Sequence, residues 1–345
     1  MPTNTTAPTP PTALAAALAM TLASTATQAQ TIPPSYGHDF VTIGAPGNRA
    51  ATALEAPLWE TEFLGPLGRV DYTYRITRTE VTNGQYFRFI TEYARTPGLP
   101  FSPSAALGRD LFISGFDPGG FPIIELGAGR EQAPAEVTVL YAAAYMNWLH
   151  NDQRTGFDDF SSGAYDLTQF VPDPNTGLFP EQTGRQEGAR YFLPSLNEWT
   201  KAAHYDPDRY GAGQEGYWLY PDGGSEPLAT GLPGEPGAET SAGTSVFDLF
   251  DVGSYPGSPS PWGLLDVSGS LREATDTIGP FGVSRALVGS DVTTQPFDNH
   301  DRLDAVGALG HGDTIGFRVG SVIPAPSSSL VCLGATVLFV RRRRP

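Results

Sequence analysis

Cysteine and lysine are almost missing from this chain. Cys332 is its one cysteine and Lys201 its one lysine. A single cysteine cannot form an intramolecular disulfide, so no disulfide framework holds the fold together. A chain of 345 residues with 40% hydrophobic residues is long enough to be stabilised by its core instead.

Basic charge is also scarce. The formal net charge is −16 and the sequence pI is about 4.6. Such a chain repels phosphate backbones, which excludes nucleic acid as an expected partner. The same charge attracts divalent cations, but solubility in salty surroundings is the explanation that we favour.

Glycine and proline are abundant, with 40 and 32 residues, well above average usage. They predict many turns, irregular segments and short helices. No internal repeat or linker divides residues 30–322, so we expect one domain. Long insertions are expected near residues 95–135, 151–188 and 206–246, and loops of this length are usually functional or disordered.

The N-terminal segment is typical of an export signal. Residues 1–29 carry no charge, residues 13–23 form an apolar run, and residues 27–29 (TQA) supply small residues for a signal peptidase. We predict a signal peptide over residues 1–29; the alternative is a disordered tail rich in Thr, Pro and Ala.

The C-terminal segment, residues 323–345, combines a Pro-x-Pro motif, an apolar run and a basic end. Residues 324–326 read PAP, residues 330–340 are apolar, and residues 341–344 are Arg. The apolar run is short for a membrane span, and the Arg residues fit the positive-inside rule. This order of parts resembles a PEP-CTERM sorting signal. The resemblance implies processing by an exosortase-type enzyme and an outward-facing, cell-surface or extracellular protein; the alternative is a plain C-terminal membrane anchor.

Sequence signals mark three helix starts. Thr82 with Gln85, and Ser195 with Glu198, each form a capping box, and a third helix is expected to begin at Thr138. Strands are expected at residues 40–44, 72–81, 284–288 and 315–319, which are rich in β-branched or aromatic residues.

Five segments together resemble the formylglycine-generating, or sulfatase-modifying factor, family. Each is close to a family motif and they occur in the family's order. They are residues 78–86 (RTEVTNGQY), 137–149 (VTVLYAAAYMNWL), 190–199 (RYFLPSLNEW), 262–273 (WGLLDVSGSLRE) and 315–319 (IGFRV). The resemblance implies an irregular α+β fold related to C-type lectins, with short helices and strands and long loops.

The resemblance also shows what is missing. Active members oxidise a substrate cysteine with oxygen, using copper held by two cysteines that follow an R-G-G-S-W strand. Here that strand reads RALVGSD over residues 285–291, and Cys332 lies far beyond it. Because Cu(I) prefers paired soft thiolates, we expect no copper and no oxidase activity.

The family's structural calcium site maps to the G-N-V-W-E motif. By the match, Glu273 is the carboxylate ligand, Gly269 and Leu271 offer backbone carbonyls, and Ser270 stands where the family has Asn. Hard oxygen ligands suit Ca²⁺. Calcium is therefore the one candidate cofactor; the alternative is that Glu273 pairs with Arg272 or lies exposed.

Other chemistry-bearing residues have competing interpretations. Glu80, Arg190, Glu198 and Arg318 recur in family motifs and are interpreted as structural, so Arg190 or Arg318 is expected to meet a carboxylate. The pairs His300–Asp301 and His311–Asp313 could form a metal or acid–base site, or be ordinary surface loops. Residues 217–220 (YWLY) could form a sugar-binding platform, or be core.

Three functions follow. The first is a non-catalytic binding or structural protein of the cell surface, with a glycan or matrix protein as partner. The second is an enzyme of the same fold using residues other than cysteine. The third is a calcium-dependent glycan binder.

Overall fold

The computed structural model describes residues 31–59, 65–170, 184–245, 248–278, 285–294, 301–308 and 315–324. The predicted signal peptide and sorting segment lie outside these ranges, except for the first residues of the sorting segment. Residues 32–325 form one compact unit. The predicted class is confirmed, since the unit mixes short helices and short strands with a large share of irregular backbone.

The helices are short, as the glycine and proline content predicted. They are α1 (Asn83–Ala94), α2 (Pro103–Ala106), α3 (Val139–His150), α4 (Phe157–Ser161) and α5 (Leu196–His204), with a 3-10 turn at Leu167–Phe170. Both predicted capping boxes are present, at Thr82 before α1 and at Ser195 before α5. Thr138 is the N-cap residue of α3, but its side chain makes no capping hydrogen bond.

The strands form small antiparallel sheets. They are β1 (Phe40–Ile43), β2 (Tyr74–Thr77), β3 (Leu111–Phe116), β4 (Pro122–Leu126), β5 (Tyr191–Phe192), β6 (Tyr205–Asp206), β7 (Gly216–Tyr217), β8 (Glu273–Ile278), β9 (Arg285–Val288), β10 (Gly307–Ala308) and β11 (Gly320–Val322). One sheet has the order β1-β2-β11-β5 and a second has the order β10-β9-β8. β3 with β4, and β6 with β7, form two-stranded ribbons.

Two of the predicted strands differ from the structure. β2 covers only Tyr74–Thr77, and residues 315–319 contain isolated bridges rather than a strand. The backbone there is held by isolated hydrogen bonds. For example, Val81 N donates to the Phe317 carbonyl at 2.9 Å. The regular ladder begins only at β11.

The core is built from two groups of buried side chains. The first surrounds α1 and α3 and contains a cluster of aromatic rings, in which Phe89 and Tyr145 each contact both Tyr86 and Trp148. The second lies between β1, β2 and α5 and includes Trp199. Packing, rather than helix propensity, stabilises these short elements.

Lys201 on α5 is fully buried. Its Nζ donates to the Ala45 carbonyl at 2.8 Å and lies 3.5 Å from the Val70 carbonyl. Burial lowers the pKa of this amine to about 8. Lys201 thus joins α5 to the loops that flank the first sheet.

All three predicted insertions contain regular structure, and residues 206–246 hold strand β7. Residues 95–135 hold α2 and the β3–β4 hairpin, and residues 151–188 hold α4 and the 3-10 turn, with residues 171–183 outside the described ranges. Within the described ranges, no helix is both long enough and apolar enough to cross a bilayer.

Candidate functional site

A buried ion pair joins Glu273 at the start of β8 to Arg318 just before β11. Arg318 Nε lies 2.8 Å from Glu273 Oε1 and 3.0 Å from Oε2, and Trp199 Nε1 donates to Oε2 at 2.9 Å. The Arg318 terminal nitrogens donate to backbone carbonyls; the acceptors are Thr77, Arg78, Leu265 and Asp266. Burial raises the pKa of Glu273, while Arg318 and Trp199 favour its ionised form.

This arrangement bears on the calcium prediction. Both Glu273 oxygens accept hydrogen bonds from Arg318, and a Ca²⁺ ion beside them would meet the guanidinium charge. The residues present therefore do not fit a calcium ion on the Glu273 carboxylate. Among the described residues, no group of three His, Cys, Asp or Glu side chains could hold a metal ion. The paired thiolates that copper needs are missing from the whole sequence.

The other predicted calcium residues, 269–271, lie in a closely packed loop. Gly269 has φ +88°, and a Cβ there would lie 2.6 Å from the Ser241 hydroxyl. Ser270, at φ 58°, donates its backbone N–H to that hydroxyl at 2.8 Å. The backbone of residues 269–271 is therefore fixed by close packing against Ser241.

The prediction that Arg190 or Arg318 meets a carboxylate is confirmed for both residues. Arg318 meets Glu273, and Arg190 Nη1 lies 2.9 Å from Asp152 Oδ1. Glu198 is also buried and paired, since Arg185 Nη1 lies 3.0 Å from its Oε2. These pairs join irregular segments to one another or to regular elements, which agrees with a structural role.

Glu80 behaves differently from the other buried charges. Its Oε1 accepts from Leu271 N at 3.3 Å, and its Oε2 has no hydrogen-bond partner among the described residues. Burial first, and then the negative charges of Glu273 and Asp266, raise its pKa well above the usual range. Among the described residues Glu80 has no ion-pair partner, which differs from the expectation of a paired buried charge.

Leu271 also lines a cleft of about 300 Å³. Leu271, Leu287, Val292 and Ile315 are buried apolar residues of its wall. Its polar residues are Arg109, Glu136, Ser270, Arg272, Asp291 and Thr293. The lining therefore has more polar residues than apolar ones, and it is more polar than the usual small-molecule site.

The charged groups at the cleft are held in place. Arg109 Nε lies 2.7 Å from Glu136 Oε2. Asp291 Oδ1 accepts from Thr293 N at 2.8 Å and from Thr293 Oγ1 at 2.7 Å. A Cβ at Gly307 would overlap the Arg272 guanidinium, so glycine leaves room for that side chain. Two cations and two carboxylates thus line a preformed cleft.

A buried row of hydroxyls lies behind Gly269. Thr240 Oγ1 and Ser268 Oγ are 2.8 Å apart, and Ser268 Oγ donates to Asp301 Oδ2 at 2.7 Å. The row stabilises the loop that carries Ser270 and Leu271 to the cleft.

The histidines and the aromatic segment are mainly structural where the structure describes them. His38 and His204 are buried, and burial lowers the pKa of His38 to about 4 and that of His204 to about 3. His300 and His311 lie outside the described residues, so a site there stays a prediction. Tyr217 and Tyr220 are buried, which favours the core interpretation of residues 217–220.

The fold and its cleft define an irregular α+β domain in which a loop before β8 and a loop after β9 meet at one surface site. The family model described as "Sulfatase-modifying factor enzyme 1-like domain" matches residues 39–319. The chain belongs to this family.

Solved structures give remote similarities. CarF is 18% identical with a TM-score of 0.46, covering 83% of this chain and 98% of its own. Treponema denticola variable protein 1 is 15% identical with a TM-score of 0.45, covering 82% and 94%. PvdO from Pseudomonas aeruginosa is 18% identical with a TM-score of 0.41, also covering 82% and 94%. A comparison with curated proteins finds no match.

Sequence reasoning did not find most of the cleft. Ser270 and Leu271 were singled out for another purpose. The remaining lining residues are Arg109, Glu136, Arg272, Leu287, Asp291, Val292, Thr293 and Ile315. One sequence feature could have indicated the cleft. Asp291 follows the β9 segment at the place where the resemblance puts the family's cysteines.

Proposed function

We propose that this chain is an exported binding protein of the cell surface, in which the family domain works without cysteine-dependent oxidation. The observation that carries the proposal is the cleft beside Leu271. It is preformed, has an apolar wall and charged groups, and contains no thiol among its lining residues. Cys332 lies outside the residues that match the family, 39–319.

The cleft composition suggests the kind of ligand. An apolar wall with Arg109, Arg272, Glu136 and Asp291 nearby suits a small group that carries both apolar surface and charge. A peptide side chain or a modified sugar of a surface glycan or matrix protein has this character. Shape and polar placement, rather than a metal, would then decide specificity.

Export and surface attachment are part of the same proposal. Residues 1–29 would direct the chain to the export machinery, and residues 323–345 would hold it in the membrane until an exosortase-type enzyme cuts the tail. Fractionation of cells expressing the full chain, or a chain ending at residue 322, tests this. We expect the full chain at the cell surface and the shorter chain in the medium; both remaining inside the cell would contradict export.

Binding is tested with glycan and peptide arrays probed by the full chain and by two variants. Thr293→Trp places a bulky ring at the cleft. Thr168→Trp is the matched control, because Thr168 is also exposed. Like Thr293, it donates two hydrogen bonds to the Asp two positions earlier: its N and Oγ1 lie 3.0 Å and 2.7 Å from Asp166 Oδ1. We expect Thr293→Trp alone to abolish binding to the array members that the unmodified chain retains. Equal binding by both variants would place the ligand elsewhere.

Oxidation is tested separately with a cysteine-containing peptide, copper and oxygen. We expect no aldehyde product above a protein-free control. Aldehyde formation by the chain would show catalysis by other residues and would support the enzyme alternative.

A further inference from the structure

Three of the four charged side chains at the cleft beside Leu271 are already engaged within the protein. Arg109 and Glu136 pair through both carboxylate oxygens, at 2.7 Å from Nε to Oε2 and 3.3 Å from Nη2 to Oε1. The Arg272 guanidinium packs against Gly307, and this side chain also has a partner of its own. A ligand that used any of these three groups would first have to displace contacts within the protein.

Asp291 is the exception, because only one of its two oxygens is used. Its Oδ1 accepts four hydrogen bonds, from N and Oγ1 of both Thr293 and Thr294, at 2.7–3.1 Å. Its Oδ2 accepts none among the described residues, and the residue is only half-buried. The carboxylate is therefore fixed in one orientation, with one oxygen left to accept from a ligand.

Ser270 supplies a second unused oxygen at the same cleft. Its Oγ is buried and has no hydrogen-bond partner among the described residues. Its backbone is held at φ 58° while its N–H donates to Ser241 Oγ at 2.8 Å, and such strain in a non-glycine residue concentrates at functional sites. A buried hydroxyl is costly to leave unpaired, so a ligand group that bonds it gains affinity.

The rest of the lining indicates what the ligand carries besides its polar group. The apolar wall is aliphatic, and the lining residues that the structure describes include no aromatic ring. Recognition of a quaternary ammonium uses aromatic faces, whereas an aliphatic wall suits a chain of methylenes. A volume of about 300 Å³ is at the lower end for ligand pockets, which favours one side chain over an oligosaccharide.

We infer that the cleft takes a lysine side chain of another surface or matrix protein, with its ammonium bonded to Asp291 Oδ2 and its methylenes against the aliphatic wall. Ser270 Oγ is the second acceptor. The inference rests on the proposed function of the cleft as a binding site and names the ligand class. An ammonium has three donors and no acceptor and is charged at neutral pH, which matches a fixed carboxylate oxygen.

The single free oxygen of Asp291 also distinguishes lysine from arginine. A guanidinium binds a carboxylate best through two parallel hydrogen bonds, and that arrangement needs both oxygens. The Asp291 Oδ1 is already occupied by four donors. A compact ammonium needs only the oxygen that remains.

The test measures fluorescence anisotropy of labelled Gly/Ser peptides that differ at one central residue, added to the full chain. That residue is lysine, acetyl-lysine, trimethyl-lysine, norleucine or arginine, and a glucosamine oligosaccharide is the remaining probe. We expect the lysine peptide to bind at least about ten-fold more tightly than each of the others, because only it combines N–H donors on a point charge with an aliphatic stem.

Asp291→Asn keeps Oδ1 as the acceptor of the four local hydrogen bonds and replaces the free oxygen with a donor. We expect it to weaken binding of the lysine peptide by about 10- to 100-fold, as for the loss of one hydrogen bond between charged groups, and Ser270→Ala to weaken it less. Asp166→Asn is the matched control, since it removes the same charge. Its Oδ1 likewise accepts from Thr168 N at 3.0 Å and Oγ1 at 2.7 Å.

The outcomes separate this inference from the proposed function. Equal or tighter binding of any other probe, when Thr293→Trp abolishes that binding, would overturn the lysine inference and leave the cleft as a binding site. Binding of the lysine peptide that Thr293→Trp leaves unchanged would overturn both. Binding of none of the probes, or equal loss in Asp291→Asn and Asp166→Asn, would also overturn the lysine inference. Melting curves of the variants establish that they are folded.

Discussion

Arg318 and Glu273 form a salt bridge with an Nε to Oε1 distance of 2.8 Å and both side chains buried. They join the segment before β11 to the start of β8, and the two residues are 45 positions apart in the sequence. The family resemblance suggested the Glu273 carboxylate as a metal ligand. In the structure this carboxylate is held in an ion pair with Arg318.

Breaking this pair on one side should be costly. Arg318→Met leaves the Glu273 charge buried without its cation, and we expect a loss of about 3–5 kcal/mol in the free energy of unfolding. Urea denaturation measures it. The exposed pair Arg69–Asp71, at 3.0 Å, is the control, and Arg69→Met should cost less than about 1 kcal/mol. The double variant Glu273→Gln with Arg318→Met should lose less free energy of unfolding than Arg318→Met alone, because it buries no unpaired carboxylate. An equal loss would mean that the unpaired Glu273 charge does not cause the destabilisation.

Glu80 should make stability depend on pH. Its folded-state pKa is raised above the usual 4.5, so between the unfolded and folded pKa values the folded chain holds one more proton. The free energy of unfolding therefore falls as pH rises above about 4.5, by at most about 1.4 kcal/mol per pH unit for this group.

Glu80→Gln isolates that contribution, because Gln has the same shape and does not titrate. We expect the stability of the variant relative to the unmodified chain to increase as pH rises, measured by urea denaturation at several pH values. A difference that stays constant with pH would show that Glu80 is ionised in the folded chain.

Calcium removal tests the predicted site at residues 269–273. Because the Glu273 oxygens are bound to Arg318, we expect the metal content to be negligible and the melting temperature to be unchanged by a chelator. Bound calcium, with a chelator-induced fall in melting temperature, would revive the calcium-dependent alternatives.

Gly269 should be intolerant of a side chain. Gly269→Ala adds contacts at 2.6 Å with Ser241 Oγ and 2.7 Å with Thr240 Oγ1 to the strain of φ +88°. Gly47→Ala is the control, since Gly47 has φ +78° with nothing within 4 Å of the added Cβ. We expect Gly47→Ala to cost about 1–2 kcal/mol from backbone strain and Gly269→Ala to cost more; equal melting temperatures would mean that the loop adapts.

Local signals in the sequence predicted local structure well. The capping boxes at Thr82 and Ser195 involve residues three positions apart, so the sequence contains the whole interaction. The expectation that Arg318 meets a carboxylate was also met, but the sequence did not identify Glu273 as the partner.

Features that depend on segments distant in the sequence could not be predicted from the sequence. The cleft needs Glu136, Leu271 and Asp291 to meet, and no spacing pattern encodes that meeting. Glu80 resembled an ion-paired residue until the structure placed Arg318 on Glu273 and left Glu80 Oε2 without a partner among the described residues.

The burial of Lys201 has a consequence for covalent attachment. It is the one lysine of the sequence. Its side chain is fully buried, and its Nζ donates a hydrogen bond to the Ala45 carbonyl. The folded chain therefore offers no accessible side-chain amine to an isopeptide-forming enzyme, a sugar aldehyde or a carbonyl cross-linker. Any amide link from another molecule to a free amine of the native protein would have to form at the N-terminus.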